Sequence, residues 1–465
     1  MKIAIWGTGT YYKKYISYIC EDAIEYIVDT DIKKQGTYIG DRLIQAPESL
    51  DADSCDYILI LVKETEEIYR YLVEKGVGEN KIVDYHSIGK LFEVEPMVRV
   101  DGNMMKLKEW FGLTSKKKIL FLSHSLGRSG APIVLMYMAS LLRDKYQVLF
   151  AGEGQGDLQK ELERENISYL ADAGIFFEQL KDSDLFGEID LFFVNTITMS
   201  DWVQMVLDKG FPVVWWIHES SPMFYEKSKR IHGEVSKVSC YAVSEKAKQT
   251  MSEYYPDMSI GRLSYYIPDT SGELSCAGLG RGAGFRFALL GVIDRYKAQD
   301  LVLEAIKIMD KSVAEQIEVV IAGKIISKEK EQWESAFGQC PQVKYVGELS
   351  QEEVGGLYKK IDVLLCTSRI HDTMPVVVTQ AMMNGIPCIV SDMVGHSKFI
   401  ENKKNGFVFS SENVNELATV MEWCVKNRYK MAEFGMESRN IYENNFSHAY
   451  ARKNIGIIVE KHILE

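Results

Sequence analysis

Residues 361–392 read IDVLLCTSRIHDTMPVVVTQAMMNGIPCIVSD, and this segment carries most of the information about the fold. It predicts a buried strand at 362–366, a polar loop, a helix that begins at Pro375 and a second buried strand. Proline suits the first turn of a helix, because its missing N–H would have no partner there. The free N–H groups and the positive dipole end of such a helix bind phosphate. Asp372 and Gln380 flank this turn, so the segment predicts a site for a sugar nucleotide.

The same segment resembles the donor-binding motif of the retaining glycosyltransferases of family 4, which have the two-lobed GT-B fold. The family pattern is Glu-x7-Glu followed by Ala-Met and a Gly-x-Pro turn. Four positions match, at Ala381, Met382, Gly385 and Pro387. Asp372 and Gln380 stand at the two glutamate positions, and both depart from the pattern. The resemblance implies that Asp372 orients the hydroxyls of the transferred sugar and that Gln380 binds the ribose, since an amide both donates and accepts. It also implies donor binding by Met374, Pro375 and Val376.

A second donor-binding element follows the strand predicted at 287–290. The family carries Gly-Arg-x4-Lys at this point, and its two cations hold the donor diphosphate. Gly291 and Lys297 match, whereas Val292 stands at the arginine position. Arg295 is the candidate to supply the missing charge. An isolated lysine usually lies on the solvated surface, but the strand–loop setting favours a phosphate contact for Lys297.

The N-terminal part of the resemblance rests on two loops that would face the cleft. Ser129, Gly130 and Ala131 precede a predicted helix and match the family's Gly-Gly-Ala loop, with one glycine replaced by serine. Such a loop offers backbone donors for close approach; a plain strand–helix turn is the alternative. His218 follows the strand predicted at 212–217 and resembles the family's histidine that contacts the transferred sugar. The alternative for His218 is a structural histidine at a strand end.

Residues 1–90 form a separate unit of alternating strands and helices, which predicts a small doubly wound parallel sheet. Gly7-x-Gly9 with Asp29 beyond it is similar to a dinucleotide-binding fingerprint. Tyr12 stands where the third glycine belongs, and its bulk disfavours a full NAD site. A ligand-binding role and a structural or docking role both stay open for this unit.

The predicted fold class is α/β, with a GT-B pair of Rossmann-like lobes that face a cleft and a small Rossmann-like domain before them. Residues 91–115 show no clear strand pattern and are interpreted as a connector. The resemblance spans about residues 117–465. It implies the following division of the chain: an accessory domain 1–90, the connector 91–115, an N-terminal acceptor-side lobe 116–275, a C-terminal donor-side lobe 276–440, and a C-terminal helix 441–465 that returns to the N-terminal lobe.

Composition limits the classes of function. The chain has 465 residues, 46% of them hydrophobic, which suffices for two or three ordinary domain cores. The formal net charge of −12 argues against nucleic acid as a partner. The eight cysteines have no paired spacing, which indicates reduced thiols. No signal peptide and no membrane-spanning run is present, so a cytoplasmic location is expected. The run Lys116–Lys118 leaves peripheral contact with the inner face of the cell membrane open.

The resemblance implies a retaining glycosyltransferase for cell-surface polysaccharide synthesis, with His218 and Asp372 as the catalytic residues. It would move a hexosyl or deoxyhexosyl group from a nucleoside-diphosphate sugar to a glycan, glycolipid or glycoprotein acceptor. No metal and no cofactor is expected, because Lys297 and the helix N-terminus supply positive charge. An oligomer or a complex formed through the N-terminal domain is left open. One alternative function is a catalytically weak or inactive GT-B partner subunit of a glycosyltransferase complex, which Gln380 and Val292 favour. The other is an NAD-dependent sugar-nucleotide enzyme that uses residues 1–90.

Overall fold

The computed structural model describes residues 1–272, 284–326 and 329–464. The chain separates into two compact units, of which the first joins Met1–Arg128 to Arg143–Phe192 and the second joins Ser129–Leu142 to Phe193–Glu465. The described strands form three sheets, two of six strands and one of nine. The lobe boundary predicted between residues 275 and 276 lies outside the described residues.

The first sheet is small, mostly parallel and built from short apolar strands. Its strands are β1 Ile3–Trp6, β2 Ile24–Val28, β3 Tyr38–Ile39, β4 Arg42–Gln45, β5 Tyr57–Ile60 and β6 Ile82–Asp84. The helices of this region are α1 Thr10–Tyr15, α2 Glu66–Glu74 and α3 Ile88–Leu91. The strand order is β3-β4-β2-β1-β5-β6, and only β3 and β4 pair antiparallel. Ala4, Trp6 and Ile58 lie in its buried core, which confirms the Rossmann-like N-terminal domain.

The second sheet has nine strands. They are β7 Met97–Val100, β8 Asn103–Lys106, β9 Lys118–Ser123, β10 Gln147–Gly152, β11 Ser168–Leu170, β12 Leu191–Asn195, β13 Val213–Ile217, β14 Ser239–Ala242 and β15 Ile260–Arg262. The helices between them are α4 Leu107–Phe111, α5 Gly130–Ser140, α6 Leu158–Arg164, α7 Phe177–Asp182, α8 Ser200–Asp208, α9 Pro222–Glu226 and α10 Glu245–Tyr254. The strand order is β15-β14-β13-β12-β9-β10-β11-β7-β8. In the central strands β9, β12 and β13 every residue except Lys118 is buried, and nearly all are apolar, as parallel sheets covered on both faces require.

The expectation that residues 91–115 contain no strand is wrong, because β7 and β8 form a hairpin there. Asp101 and Gly102 make the two-residue turn, with φ of 46° and 80°. Positive φ at both positions matches the twist of hairpin strands, and Asp-Gly is a favoured pair for this turn. Strand β7 pairs antiparallel with β11, and Val98 and Trp110 are buried. The segment interpreted as a connector is therefore an edge of the second sheet.

The third sheet is entirely parallel and lies in the C-terminal part of the chain. Its strands are β16 Phe285–Leu290, β17 Ile317–Ala322, β18 Val343–Tyr345, β19 Val363–Cys366, β20 Cys388–Ser391 and β21 Gly406–Phe409. The helices of this part of the chain are α11 Gln299–Ile308, α12 Lys311–Ala314, α13 Lys330–Gly338, α14 Gln351–Tyr358, α15 Val376–Met383, α16 Val414–Lys426, α17 Met431–Asn445 and α18 His448–Leu464. The strand order is β18-β17-β16-β19-β20-β21. Strand order therefore reverses between β16 and β19.

Within the second unit, the segment that follows β15 is anchored to the C-terminal helices. The Asp269 carboxylate pairs with the Arg439 guanidinium, and Arg439 also donates to the Met383 carbonyl at 2.6 Å. The Tyr442 hydroxyl donates to the Ile267 carbonyl at 3.0 Å. Helix α18 contacts α5 of the second sheet. These contacts join the two sheets of this unit at the point where the chain passes from one to the other.

The seven cysteines described are free thiols, and all except Cys20 are buried; Cys276 lies outside the described residues. Among the described residues, no helix combines the length and the apolar character needed to cross a bilayer.

Candidate active site

The candidate active site lies at the switch point of the third sheet, where β16 and β19 are neighbours. Parallel sheets bind ligands at this point, because the loops after the two strands diverge and leave a crevice. Lys297 follows β16 and Asp372 follows β19, and the Lys297 ammonium donates to Oδ2 of Asp372. The Lys297 side chain is 35% exposed and that of Asp372 is 16% exposed. Two residues identified separately in the sequence thus form one ion pair.

Burial and charge act in opposite directions on the Lys297 ammonium. Burial lowers its pKa, whereas the Asp372 carboxylate and, to a smaller extent, Cys366 and Asp294 raise it, and the pKa lies above its ordinary value. Lys297 is therefore charged at neutral pH. Its backbone is fixed as well, because its N–H donates to Oδ1 of Asp294 at 2.8 Å and its carbonyl accepts from the Thr367 hydroxyl at 2.9 Å.

Asp372 is held by the two loops that surround it. The Ser368 hydroxyl donates to Oδ2 of Asp372 at 2.9 Å. The Asp372 N–H donates to the Met393 carbonyl at 3.0 Å, and the Gly395 N–H donates to the Asp372 carbonyl at 2.8 Å. A Cβ atom at Gly395 would lie 1.6 Å from the Thr373 carbonyl oxygen. Only glycine therefore allows this close approach of the two loops.

Helix α15 begins directly behind the Asp372 loop. Pro375 is its N-cap residue, with φ of −62° and ψ of 123°, so the helix begins at Val376, one residue later than predicted. Met374 is buried, and Val376 is half-buried. No side chain caps the start of α15. The N–H groups of its first turn and the positive end of its dipole come only a few residues after Asp372 in the chain.

Gln380 lies one turn further along α15 and is half-buried. Its Oε1 accepts from the Tyr358 hydroxyl at 3.3 Å, and the same hydroxyl donates to the Val377 carbonyl at 2.9 Å. Tyr358 is fully buried, and burial raises its pKa well above the ordinary value, so it is a permanent donor. Tyr358 therefore orients the Gln380 amide with its oxygen toward helix α14.

His218 follows β13 and is half-buried, with its ring edge-on to Trp216 at 4.4 Å between centroids. The backbone N–H of His218 donates to Oε2 of Glu219 at 3.2 Å. Burial raises the pKa of Glu219, although backbone donors oppose this. Two residues after His218, the Ser220 hydroxyl lies 2.8 Å from the Thr373 hydroxyl. The loop of His218 and the loop of Asp372 are therefore in direct contact.

The remaining predicted residues have other partners. The Arg295 guanidinium pairs with Glu329 at 3.2 Å, and its side chain is 74% exposed. Ser129 is the N-cap residue of α5, and the Ala131 carbonyl accepts from Nδ2 of Asn195 at 3.0 Å. Gly130 and Ser129 are exposed. The described contacts of these residues thus lie elsewhere than at the Lys297–Asp372 pair.

Gly291 takes part in the site through its backbone. A Cβ atom at Gly323 would lie 1.8 Å from the Gly291 carbonyl oxygen, and Gly291 itself has φ of 138°. The loops after β16 and β17 therefore approach each other more closely than side chains allow. This packing fixes the start of the loop that carries Lys297.

Four residues that bond to the site were not predicted from the sequence, namely Ser220, Tyr358, Ser368 and Thr373. Ser368 and Thr373 belong to the polar loop after β19, so their position was visible in the sequence while their partners were not. Ser220 and Tyr358 bond to residues 153 and 22 positions away. Because residues with hydroxyl groups are common along the chain, no local sequence pattern indicates these contacts.

In the candidate dinucleotide site of the N-terminal domain, Asp29 bonds to the domain's own residues. Oδ2 of Asp29 accepts from the Thr8 N–H at 2.9 Å, from the Thr8 hydroxyl at 2.5 Å and from Nζ of Lys34 at 2.9 Å. Its Oδ1 accepts from the Asp31 N–H. Burial raises the pKa of Asp29, but these donors outweigh burial and hold it below the ordinary value. Tyr12 is buried, as expected for a residue that packs where a fingerprint glycine would lie.

Comparison with known families divides the chain into three matched parts. Residues 283–441 match the family described as Glycosyl transferases group 1. Residues 115–270 match the family described as Glycosyl-transferase family 4, and residues 1–83 match C2185-like, N-terminal. Spore coat protein SA of Bacillus subtilis strain 168 is 27% identical over 124 residues, which is 26% of this chain. The match spans about a third, 33%, of that protein.

Solved structures share the fold at low sequence identity. HepE of Anabaena, solved in complex with UDP, has a TM-score of 0.62 and 17% identity, and the likeness covers 74% of this chain and 100% of that one. HepE has also been solved in complex with UDP-glucose, with a TM-score of 0.61 at the same identity. A glycosyltransferase from Rickettsia africae has a TM-score of 0.62 and 14% identity, over 75% of this chain and 99% of that one.

Proposed function

Because residues 115–270 and 283–441 belong to glycosyltransferase families of the family 4 type, we propose that the protein transfers a sugar from a nucleoside-diphosphate sugar to a glycan, glycolipid or glycoprotein acceptor. The proposal includes retention at the anomeric carbon and a role in cell-surface polysaccharide synthesis. The observation that carries it is the Lys297–Asp372 pair at the switch point, next to the N-terminus of α15. A cation, a carboxylate and free backbone donors at one point suit a sugar diphosphate.

The leaving group decides where positive charge is needed. As the bond between sugar and diphosphate breaks, negative charge grows on the phosphate oxygens. Lys297 and the first-turn N–H groups of α15 stabilise that charge, and both are fixed before the reaction. Lys297 then divides its charge between the diphosphate and Asp372, which leaves Asp372 available to the hydroxyls of the sugar. The proposed reaction needs no metal ion and no cofactor.

The other predicted residues take positioning roles in this proposal. Gln380 binds the ribose, and the backbone at Gly291 and from Met374 to Val376 allows close approach of the diphosphate. His218 contacts the sugar from the opposite loop, since Ser220 brings that loop to Thr373. Arg295 would add charge only after leaving Glu329. Ser129, Gly130 and Ala131 lie on the acceptor side.

The donor base is the first specific choice to test. HepE was solved with UDP and with UDP-glucose, which makes a UDP-sugar the first candidate. Hexosyl or deoxyhexosyl transfer follows as the proposed specificity. A cytoplasmic location and peripheral contact with the membrane complete the proposal.

The alternative of a partner subunit without turnover is favoured by two observations. The Gln380 amide is turned toward Tyr358, and Val292 supplies only its carbonyl, which accepts from Gln299 at 2.9 Å. Against it, Lys297 and Asp372 have kept both their charges and their contact. The NAD-dependent alternative is disfavoured, because the oxygens of Asp29 already accept from Thr8, Asp31 and Lys34.

The test is a thermal-shift panel of UDP, GDP, dTDP, CDP, NAD and NADP on the full chain, followed by hydrolysis assays with the sugar forms of each hit. Stabilisation by one diphosphate with slow release of that diphosphate from its sugar form supports the transferase. Stabilisation without turnover, with lipid-linked acceptors present, favours the partner subunit. Stabilisation by NAD alone favours the third function.

A further inference from the structure

A buried hydrogen-bond chain lies behind the loop that carries Asp372. Tyr265, in the segment that follows β15, is 1% exposed. Its hydroxyl donates to the Met374 carbonyl at 3.3 Å and lies 2.5 Å from Oγ1 of Thr379. Oγ1 of Thr379 lies 2.7 Å from Nε2 of His396. Three buried side chains from three segments thus form one chain of hydrogen bonds, and its last member, Tyr265, bonds to a backbone carbonyl of the loop.

The direction of this chain follows from its last member. A carbonyl only accepts, so the Tyr265 hydroxyl donates to Met374. The Tyr265 oxygen then accepts from the Thr379 hydroxyl, and the Thr379 oxygen accepts from the Nε2–H of His396. Burial lowers the pKa of His396 to about 3, with Asp372 opposing it weakly. The ring is therefore neutral at physiological pH, and this network assigns its one proton to Nε2.

Three consecutive residues of the loop are held by different partners. Asp372 is bonded through its backbone to Met393 and Gly395. Thr373 is bonded through its hydroxyl to Ser220. Met374 is held by Tyr265, and the next residue is the N-cap of α15. The hydrogen bond from Tyr265 to the Met374 carbonyl therefore fixes the peptide plane between Met374 and Pro375, just before the first helical turn.

We propose that Tyr265 is a positioning residue for the donor: its hydroxyl fixes the Met374 carbonyl and thereby sets the geometry between the Asp372 carboxylate and the N–H groups of α15. Tyr265 comes from the segment that leaves the second sheet, whereas the loop belongs to the third. The proposal rests on the proposed function only in naming a sugar nucleotide as the ligand of this loop.

The first experiment needs no ligand. Amide hydrogen exchange of residues 372–378 is compared in the full-length wild type, in Tyr265→Phe and in the matched control Tyr442→Phe. Tyr442 is equally buried and also donates to a backbone carbonyl, that of Ile267, but it does not touch the loop. Loss of one neutral hydrogen bond predicts exchange about two- to tenfold faster in Tyr265→Phe, with the control at the wild-type rate. Equal exchange in all three proteins, or equal acceleration in both variants, overturns the proposal.

The second experiment measures UDP affinity by calorimetry and the donor KM for UDP-glucose hydrolysis. We expect Tyr265→Phe to weaken UDP binding and to raise the donor KM by about the same two- to tenfold factor, with Tyr442→Phe unchanged. Faster exchange with unchanged UDP affinity would remove the positioning role. If the wild type binds no nucleoside diphosphate at all, the proposed function fails, and the exchange result still decides whether Tyr265 orders the loop.

Discussion

At the scale of single residues, the site depends on a cation that is partly withdrawn from water and kept charged. Burial alone would favour a neutral Lys297, and the Asp372 carboxylate reverses that preference. A diphosphate that enters the site competes with Asp372 for Lys297, so the two residues act together. When the Lys297 ammonium turns toward a diphosphate, the hydroxyl of Ser368 still donates a hydrogen bond to the Asp372 carboxylate.

Lys297→Ala should weaken nucleoside diphosphate binding by more than it weakens nucleoside binding. A charge-assisted hydrogen bond contributes about 1.5–3 kcal/mol, so UDP affinity should fall roughly tenfold to more than a hundredfold, while uridine affinity changes little. Isothermal titration of both ligands measures the difference. Lys426→Ala, which removes an exposed lysine paired with Glu422, is the control and should bind UDP normally. Equal affinity of Lys297→Ala and wild type for UDP would remove Lys297 from the site.

His396 should make the second unit less stable in acid. Its pKa in the folded protein is lowered to about 3 by burial, from the ordinary 6.5. The neutral ring therefore contributes stability that is present above pH 6.5 and is lost as the pH falls toward 3, with a slope of about 1.4 kcal/mol per pH unit. Urea unfolding of wild type and His396→Gln between pH 4.5 and 8 measures this slope. The wild-type curve should be steeper than that of the variant below pH 6.5; parallel curves would show that His396 does not titrate in this way.

At the scale of elements, glycines decide how closely the loops of the site approach. Gly395 and Gly323 each lie against a backbone carbonyl at distances that no Cβ atom tolerates. Backbone has little room to move, unlike the end of a flexible side chain. Backbone conformation also explains the hairpin of β7 and β8, because Asp101 and Gly102 in its turn both have positive φ.

Gly395→Ala should damage both stability and donor binding. The new methyl group would meet the Thr373 carbonyl oxygen at 1.6 Å, and the resulting shift of the loop should cost about 1–3 kcal/mol. Chemical denaturation and UDP titration measure the two effects. Gly456→Ala in α18 is the control, because a Cβ atom there meets nothing within 4 Å; alanine should stabilise that helix by up to about 1 kcal/mol. A Gly395→Ala protein as stable as wild type would contradict the close contact.

At the scale of the whole molecule, the chain has the predicted fold class, with three mainly parallel sheets and with the two GT-B domains following a Rossmann-like domain in the sequence. The N-terminal domain is joined to the second sheet within the first unit. The Tyr15 hydroxyl donates to Oε2 of Glu153 at 3.2 Å, and Nζ of Lys14 lies 3.8 Å from the same oxygen. The Tyr18 hydroxyl donates to Oδ2 of Asp172 at 2.8 Å. Helix α1 is thus a docking element, which favours the structural reading of this domain.

Lys14→Met should loosen this junction in a pH-dependent way. Burial raises the pKa of Glu153 and lowers that of Lys14, whereas the opposite charge of each residue counteracts this effect on the other and so stabilises it. The variant should lose about 2 kcal/mol above the raised pKa of Glu153, less than a fully buried pair would lose because 26% of the Lys14 side chain is exposed. The loss should disappear as the pH falls and Glu153 takes up a proton.

Urea unfolding of the first unit's aromatic signal, at pH 5 and pH 8, tests the Lys14→Met prediction. Lys13→Met is the control, since Lys13 is its exposed neighbour on the same helix. The control should match wild type at both pH values. A loss of stability in Lys14→Met that is equal at pH 5 and pH 8 would contradict the role of Glu153.

The sequence by itself predicted the strands that precede Lys297 and Asp372 and placed both residues in the loops after them, because apolar runs and turn residues are local features. It also contained the Asp101-Gly102 signal of the hairpin, although the membership of that hairpin in the second sheet required its distant partner β11. Only the tertiary structure decided that Arg295 pairs with Glu329, that Ser220 meets Thr373 and that Tyr265 holds Met374. Two of these three partners are more than a hundred residues apart in sequence. A side chain chooses among neighbours that only packing brings within hydrogen-bond distance, and no local pattern encodes that choice.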